Sequence, residues 1–357
     1  MINAALKTIG LNLSEAVYYI VYYIKFSTEY FQTGGDMPRI DLVTGFLGTG
    51  KTTFIKKYAK FLIDQGLCVG ILENDYGAIN IDMVFLEDLM GDNCDVEMIQ
   101  GGDGILSHRR RFATKLISMA MSGFDCVIVE PSGIYDTDEF FDTLAEEPLC
   151  KWYSPGSLIS IIDADMEEEI SEETEYLLVS QTDTAGKIIL SHWDRADTEA
   201  PARICRRLNQ AMERFHSDRR FTEEDILAKD WQDLTPEDFA GIAMSGMIPA
   251  DHVKLPVEQD SGYSTLFYFG TGMDEKKLQS CIARTFEDPS CGNVMRVKGF
   301  VRTGEDSRVQ INATRRQVQI EPTAFANEVL IVTGEKLRRD RIDGIWAEDS
   351  KIITPGN

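Results

Sequence analysis

The chain has 357 residues, of which 43% are apolar and 27% charged, so it is long enough for two or three domains around at least one large core. With 59 acidic and 36 basic residues the formal net charge is -23, and such a field disfavours nucleic acid or an anionic membrane as a bulk partner. The seven cysteines are scattered without a CxxC pair, which favours a reduced, cytoplasmic protein.

Residues 1–36 precede the first predicted strand. Their apolar stretch AVYYIVYYIKF (16–26) is too short to span a bilayer and has no signal-peptide cleavage pattern. It is consistent with an interfacial helix or with an appendage packed on the surface, and a third alternative is a biological start at Met37. We treat 1–36 as an appendage and expect no membrane span.

From about residue 39 to 194, short apolar runs alternate with amphipathic helical patterns. Near-continuous apolar strands that alternate with helices predict an α/β domain with a mostly parallel sheet covered by helices on both faces. Ligands bind such sheets at the carboxyl ends of the strands. The predicted strands are IDLVT (40–44), LCVGIL (67–72), DCVIVE (125–130), SLISIID (157–163) and KIILS (187–191), with helices over 54–66 and 107–123.

The pattern beyond residue 200 is less regular. The segment 200–260 is helical, charged and hard to place, and STLFYF (264–269) predicts another strand, followed by a helix from Asp274 to about Phe286. After the linker DPSCGN (288–293), four short β-rich runs predict a small α+β domain with an antiparallel sheet. The expected division is an appendage at 1–36, a nucleotide-binding domain at 37–286 and a C-terminal domain at 293–357.

GFLGTGKTT (45–53) matches the phosphate-binding pattern G-x-x-x-x-G-K-[ST], directly after the first predicted strand and at the start of the first helix. The glycines let backbone N–H groups surround a polyphosphate, Lys51 reaches the β/γ oxygens, and the Thr52 hydroxyl ligates Mg²⁺. The helix N-terminus adds partial positive charge. A chance glycine-rich turn is the alternative. The predicted phosphate-binding residues are Gly45, Gly48, Thr49, Gly50, Lys51, Thr52 and Thr53.

Acidic residues follow two other predicted strands. ENDYGAINID (73–82) has the character of a switch loop, with a solvated acidic loop as the alternative. DCVIVEPSG places Glu130 where it can hold Mg²⁺ or orient water, and places the Gly133 amide where it can bond the γ-phosphate; a capping turn is the alternative. The candidate catalytic residues are Lys51, Glu130 and Gly133, and the candidate Mg²⁺ ligands are Thr52, Glu130 and Asp75.

KIILSHWD (187–194) ends in Asp194 at the place where GTPases carry Asn-Lys-x-Asp, whose Asp accepts hydrogen bonds from guanine. Asp194 keeps this acceptor, whereas Ser191 and His192 stand in the Asn and Lys places. We expect Ser191 and Asp194 to bind the base and GTP to be preferred to ATP. Trp193 is a candidate cover for the base, with an ordinary core or surface aromatic as the alternative.

Together these stretches resemble the CobW-type GTPases, a P-loop metallochaperone family that includes nitrile hydratase activators. The matching stretches are GFLGTGKTT, ENDYG, VEPSG, IIDA (161–164), SQTDTAGKIILSHWD (180–194) and VMRVKGF, in the family's order between about residues 37 and 335. The resemblance implies GTP and GDP as ligands and slow Mg²⁺-dependent GTP hydrolysis. It also implies that the nucleotide state is coupled to metal delivery or to activation of a client metalloenzyme.

Two departures from the family pattern leave open whether the nucleotide cycle serves metal delivery. The place of the family's Cys-x-Cys-Cys motif falls on GGDGI (101–105), which has no thiolate, so a soft metal such as zinc or copper would lose its main ligands. A harder site made by Asp75, Cys94, Asp103 and His108 is one alternative, and a solvated loop before a helix is the other. The second departure is SHWD (191–194), in which Ser191 and His192 replace the Asn and Lys of the guanine-binding motif. A metal-free activation chaperone and a non-hydrolysing nucleotide-binding regulator therefore remain alternatives.

Three successive arginines, Arg109 to Arg111, open the helix after this loop. A solvated helix face is the ordinary interpretation. The alternative is an arginine that reaches a phosphate in its own chain or across a nucleotide-dependent homodimer.

Overall fold

The fold is organised around two β-sheets. It is seen in a computed structural model that describes residues 37–74, 86–99, 105–166, 170–193, 196–254, 263–305, 307–324, 328–346 and 351–352. Short 3₁₀ turns occupy Glu87–Leu89, Glu223–Asp225 and Pro289–Cys291.

The first sheet is formed by β1 (Arg39–Gly45), β2 (Val69–Asn74), β3 (Cys94–Ile99), β4 (Cys126–Pro131), β5 (Ser154–Asp163), β6 (Lys187–Ser191) and β7 (Ile226–Leu227). These strands lie in the order β3-β2-β4-β1-β5-β6-β7, and every neighbouring pair of them is parallel. Its helices are α1 (Lys51–Asp64), α2 (Ile105–Ala120), α3 (Thr137–Ala145), α4 (Leu149–Trp152), α5 (Glu172–Thr182), α6 (Ala200–Arg214) and α7 (Pro236–Ala243).

Helices cover both faces of this sheet because successive residues of its apolar strands point to opposite sides. On one face, Leu42 and Val129 share a core with residues of α2, α3, α5 and α6. On the other face, Val43 and Ile128 share a core with residues of α1 and α7. The predicted α/β architecture, a parallel sheet with helices on both faces, is confirmed.

The second sheet is antiparallel and is formed by β8 (Tyr263–Phe269), β9 (Asn293–Arg302), β10 (Arg308–Ala313), β11 (Val318–Pro322), β12 (Val329–Glu335) and β13 (Lys351–Ile352). The strand order is β11-β10-β9-β12-β8-β13. Two helices, α8 (Glu275–Glu287) and α9 (Arg339–Trp346), cover one face, where Val297, Leu330 and Trp346 are buried in a common core. The predicted small α+β domain with an antiparallel sheet is confirmed as a fold.

The second sheet takes in more of the chain than the expected division at 286–293. β8 pairs with β12, from Tyr263 opposite Glu335 to Phe269 opposite Val329, and α8 packs on the second core. Strand 263–269 and the helix after it therefore belong with the C-terminal sheet rather than with the domain expected at 37–286. Local sequence pattern identifies a strand but not its hydrogen-bonding partner, which lies far along the chain.

A buried ionic network lies near the start of β1. Asp41 accepts hydrogen bonds from Arg39 Nη2 (2.6 Å), Tyr58 Oη (2.7 Å) and the Ser157 amide (2.8 Å), and Arg39 Nη1 donates to the Ala243 carbonyl (3.1 Å). A buried charge is tolerated when it is paired and hydrogen-bonded in this way. The network joins β1 to β5, α1 and α7, at the opposite end of β1 from the phosphate-binding pattern.

The described residues contain neither a disulfide bond nor a helix that could span a membrane. All seven cysteines lie in the described residues, and none is in a disulfide. Within the described ranges, no helix is both long enough and apolar enough to cross a bilayer.

Candidate functional site

The predicted phosphate-binding loop connects β1, in the middle of the parallel sheet, to α1. Gly48 and Gly50 have φ of 82° and 88°, a left-handed conformation that glycine adopts without strain, and Gly50 caps α1. The buried Lys51 side chain bends back, and its Nζ donates to the Gly45 carbonyl (2.9 Å). Thr49 Oγ1 donates to the Phe46 carbonyl (2.9 Å). The two glycines therefore allow the tight turn from the loop into α1, and phosphate binding by the loop stays a prediction.

Glu130 lies near the end of β4, the neighbour of β1, beside the first turn of α1. Thr52 Oγ1 donates to Glu130 Oε1 (3.0 Å), so two residues predicted from separate motifs are in direct contact. A hydroxyl and a carboxylate are the hard oxygen donors that Mg²⁺ prefers in phosphate sites. Thr52 and Glu130 fit the predicted Mg²⁺ site, whereas the third predicted ligand, Asp75, lies outside the described residues.

Gly133 packs directly on the phosphate loop. A Cβ placed on Gly133 would lie 2.6 Å from the Leu47 amide nitrogen, a distance that requires the loops to move. Gln181 of α5 holds this turn from behind, because its Nε2 donates to the carbonyls of Gly133 (3.2 Å) and Tyr135 (3.1 Å). The absence of a side chain thus brings the Gly133 turn against the loop, and its role near a γ-phosphate stays a prediction.

The predicted base-binding end lies at the carboxyl ends of β5 and β6. Ser191 is buried, and its Oγ lies 3.4 Å from the Ile162 carbonyl. His192 Nδ1 lies 3.1 Å from Asp163 Oδ2. Burial alone would raise the pKa of Asp163, but hydrogen bonds from His192 and the Asp165 amide hold that pKa below its usual value. Asp194, the predicted guanine contact, lies outside the described residues.

A tryptophan that sequence analysis did not consider adjoins the phosphate loop. Trp231, which follows β7, donates from Nε1 to the Leu190 carbonyl (2.9 Å), and its ring would lie 3.2 Å from a Cβ on Gly50. Trp193, the candidate cover for the base, packs against the core on the α2 side of the sheet. Local sequence pattern does not predict this position of Trp231, because it does not place the segment 200–260 in the fold.

The second sheet covers the phosphate loop with its polar face. Gly48 lies against the β10–β11 turn, because a Cβ placed on Gly48 would be 3.1 Å from the methyl carbon of Thr314. Two adjoining clefts separate this sheet from the loop and from the end of β4. The residues of the second sheet that line these clefts are Thr265, Arg296, Lys298, Gln310, Asn312, Gln319, Glu321, Ile331 and Thr333. From the first domain they are lined by Leu47, Gly48, Gly50, Lys51, Thr52, Thr53, Glu73, Glu130, Pro131, Ser132 and Gly133.

The sequence pattern predicts β-rich runs here but does not predict this polar face. A usable signal is the alternation in β9, where Val297 and Val301 belong to the core beneath α8 and α9 while Arg296 and Lys298 point to the other side. This alternation indicates that two cations share the face of β9 that points away from the core.

The residues considered for a transition-metal site are not brought together in the described part of the chain. Asp75 and Asp103 lie outside it. Cys94 and His108 are buried, and burial raises the pKa of the Cys94 thiol to about 11, so that it is protonated at neutral pH. No group of three His, Cys, Asp or Glu side chains suited to a metal ion occurs among the described residues. Arg109 pairs with Glu146 (2.7 Å).

Most of the chain matches two known protein families. Residues 39–221, more than half of the chain, match the family described as CobW/HypB/UreG, nucleotide-binding domain, and residues 263–348 match the cobalamin synthesis protein cobW C-terminal domain. The zinc chaperone YjiA of Escherichia coli (strain K12) is 27% identical over 167 residues, which cover 44% of this chain and 50% of YjiA. The match thus spans about half the length of that relative.

Solved structures with some likeness include the Zn(II)-bound YjiA GTPase from E. coli, at 16% identity and a TM-score of 0.35, covering 88% of this chain and 99% of that one. HypB from Helicobacter pylori in complex with nickel has 14% identity and a TM-score of 0.36, covering 62% of this chain and 89% of that one. Because these TM-scores are below 0.5, the structural likeness adds nothing to the family assignment.

Proposed function

The chain belongs to the CobW/HypB/UreG family of nucleotide-binding proteins, and on this premise we propose that it binds GTP, hydrolyses it slowly, and couples its nucleotide state to metal delivery or activation of a client enzyme. The observation that carries the proposal is the contact between Thr52 of the phosphate loop and Glu130 of β4. Two motifs far apart in sequence meet at the carboxyl edge of the sheet, where nucleotide ligands bind.

Each residue at this edge has a definite role in the proposed reaction. The loop amides and Lys51 bind the phosphates and offset their charge. Thr52 and Glu130 would hold Mg²⁺, which supplies charge neutralisation at the β- and γ-phosphates when bound. The Gly133 amide is proposed to bond the terminal phosphate, and Glu130 is proposed to orient the attacking water. Ser191 and Asp194 are proposed to contact the base.

The proposed output is less narrowly defined than the nucleotide chemistry. YjiA is a zinc chaperone by name, and this supports metal delivery for the present chain. GGDGI at 101–105 contains no thiolate, and this favours a second candidate function, a metal-free activation chaperone driven by the same GTP cycle. A cytoplasmic location and a nucleotide-dependent homodimer remain proposals.

The test of the proposed function is nucleotide turnover by Lys51→Ala. Wild-type protein with Mg²⁺ should hydrolyse GTP faster than ATP, and the variant should lose at least about tenfold in kcat/KM, since Lys51 offsets charge in the transition state. Phosphate release is measured for both proteins. Lys60→Ala is the matched control: Lys60 lies on the same helix and makes an exposed pair with Asp64 (3.4 Å), so its turnover should equal that of wild type.

The outcomes separate the alternatives. Binding of GTP without turnover would replace the GTPase by a non-hydrolysing regulator, and absence of binding would overturn both. Titration with zinc, cobalt and nickel tests whether the protein binds a metal that it could deliver. GTP turnover without micromolar binding of any of these metals would overturn metal delivery and support the metal-free chaperone.

A further inference from the structure

The second sheet brings two cations to the cleft above the phosphate loop. Arg296 and Lys298 are two residues apart on β9, so their side chains share one face, and both line the cleft that contains Lys51, Glu130 and Gly133. Arg296 also lines the adjoining cleft with Gly48, Lys51 and Thr52. Among the described residues of the second sheet, Arg296 is therefore the one that lines both clefts.

The position of Arg296 is supported from its own sheet. Its Nε donates to Asn312 Oδ1 of β10 (3.1 Å), which is a neutral acceptor. In the described part of the chain Arg296 has no carboxylate within ion-pair distance. A planar fork of N–H donors next to a phosphate loop is suited to bidentate contact with phosphate oxygens.

We propose that Arg296 contacts the terminal phosphate of the bound nucleotide and is a catalytic residue that the second sheet supplies for hydrolysis. In that reaction a water oxygen forms a bond to the γ-phosphorus, and the bond from phosphorus to the β–γ bridging oxygen breaks. GDP leaves with that electron pair, and a water proton passes to the released phosphate. Arg296 stabilises the charge on the γ-phosphate oxygens.

The inference rests on the proposed function and adds a physical link to it. GDP has no terminal phosphate for Arg296 to bind, so contact between the second sheet and the nucleotide differs between the triphosphate and diphosphate states. A ligand shifts a conformational equilibrium only through such differential contacts. Arg296 thereby makes the position of the second sheet dependent on the nucleotide state.

The test compares Arg296→Gln, Arg296→Lys and a matched control, Arg302→Gln. Arg302 is on the same strand but outside both clefts, and it pairs with Glu328 (3.1 Å). Arg296→Gln should lower kcat for GTP by at least about tenfold. It should weaken binding of GTPγS about fivefold or more and leave the Kd for GDP within about twofold of wild type. Arg296→Lys should recover part of both losses, and Arg302→Gln should behave as wild type.

Three results would overturn the inference while the proposed function stands: unchanged kcat and GTPγS affinity in Arg296→Gln, equal loss of GTPγS and GDP affinity, or the same losses in Arg302→Gln. Asn312→Leu, which removes the acceptor for Arg296 Nε, serves as a second variant if Arg296→Gln fails to fold by circular dichroism. Asn312→Leu should lower both kcat and the affinity for GTPγS, as Arg296→Gln does. Wild-type values for Asn312→Leu would overturn the inference. Wild-type protein that binds no GTP would overturn the proposed function itself.

Discussion

Single residues at the predicted phosphate-binding loop show what local sequence can predict about the candidate site. The glycine and lysine spacing in 45–53 predicted a backbone shape, and the left-handed conformations of Gly48 and Gly50 agree with it. Glu130 was predicted from the end of an apolar strand, and its contact with Thr52 agrees with a common site. Arg296 was not predicted, because its proximity to the loop depends on how two sheets pack. Local spacing carries no information on that packing.

Gly133→Ala tests the close approach of two loops at the scale of one methyl group. We expect GTP and GDP binding to weaken about tenfold, since overpacking costs about 1–3 kcal/mol and the displaced atom is the Leu47 amide nitrogen of the phosphate loop. Isothermal titration calorimetry measures both affinities. Gly241→Ala is the control, because a Cβ on Gly241 has no neighbour within 4 Å among the described residues. Wild-type affinity in Gly133→Ala would contradict the close approach.

Among the elements, α5 shows why some of the fold was not predicted. Nine of its residues, from Thr174 to Thr182, are buried, polar side chains included, so no amphipathic period marks the helix. Gln181 supports the Gly133 turn, and the Thr137 amide donates to Ser180 Oγ (3.0 Å). The short strand β3 was missed for a related reason, since its acidic residues interrupt the apolar run. The strands with continuous apolar runs were predicted, because burial on both faces leaves that pattern.

The end of α5 also carries a buried pair that predicts pH-dependent stability. His252 Nδ1 lies 2.8 Å from Asp183 Oδ2, and both side chains are nearly inaccessible to solvent. Burial alone would lower the pKa of His252. The hydrogen bond and the negative charge of Asp183 outweigh this effect, so the pKa of His252 lies above its usual value. A histidine whose pKa is raised by folding stabilises the folded state, and this contribution is fully present at pH values below the unfolded-state pKa of about 6.5. That contribution is lost as the pH rises through the folded-state pKa.

His252→Asn is expected to lower the free energy of unfolding by about 1–3 kcal/mol at pH 5.5, the range for a charge-assisted hydrogen bond. The difference from wild type should shrink between pH 5.5 and alkaline pH, because the folded-state histidine loses its proton as the pH rises through its raised pKa. Urea denaturation across this range measures both proteins. His216→Asn, a change at an exposed histidine, is the control. A difference that stayed constant with pH would show that packing alone accounts for His252.

At the scale of the whole molecule, one of the contacts that join the two sheets is a buried carboxylate. Glu335 of β12 accepts hydrogen bonds from Ser171, from Thr174 (2.8 Å) and from Asn293 (3.0 Å). Ser171 is the N-cap of α5, so the carboxylate lies at the positive end of that helix. The pair of Arg316 with Asp165 (3.0 Å) is more exposed and contributes little to stability.

Glu335→Gln should weaken the connection between the sheets by about 1–3 kcal/mol, since it removes a charge that three donors share. Burial raises the pKa of Glu335, but hydrogen bonds from Ser171, Asn293 and Thr174 outweigh this, so its pKa is lower than usual. The contribution is therefore present above the unfolded pKa and lost as the pH falls through the folded one. Calorimetry should show two separated transitions for the variant at neutral pH. Glu305→Gln, at an exposed site, should melt like wild type, and a wild-type profile for Glu335→Gln would contradict this role.

The contact between Thr314 and Gly48 has a kinetic consequence. If a polyphosphate binds this loop as proposed, the second sheet would close it in on that side, and both its entry and its departure would require the sheet to lift. The association and dissociation rates would then slow together, while the equilibrium constant stayed the same. A partner that displaced the second sheet would accelerate the replacement of GDP by GTP without touching either nucleotide, and would act as an exchange factor.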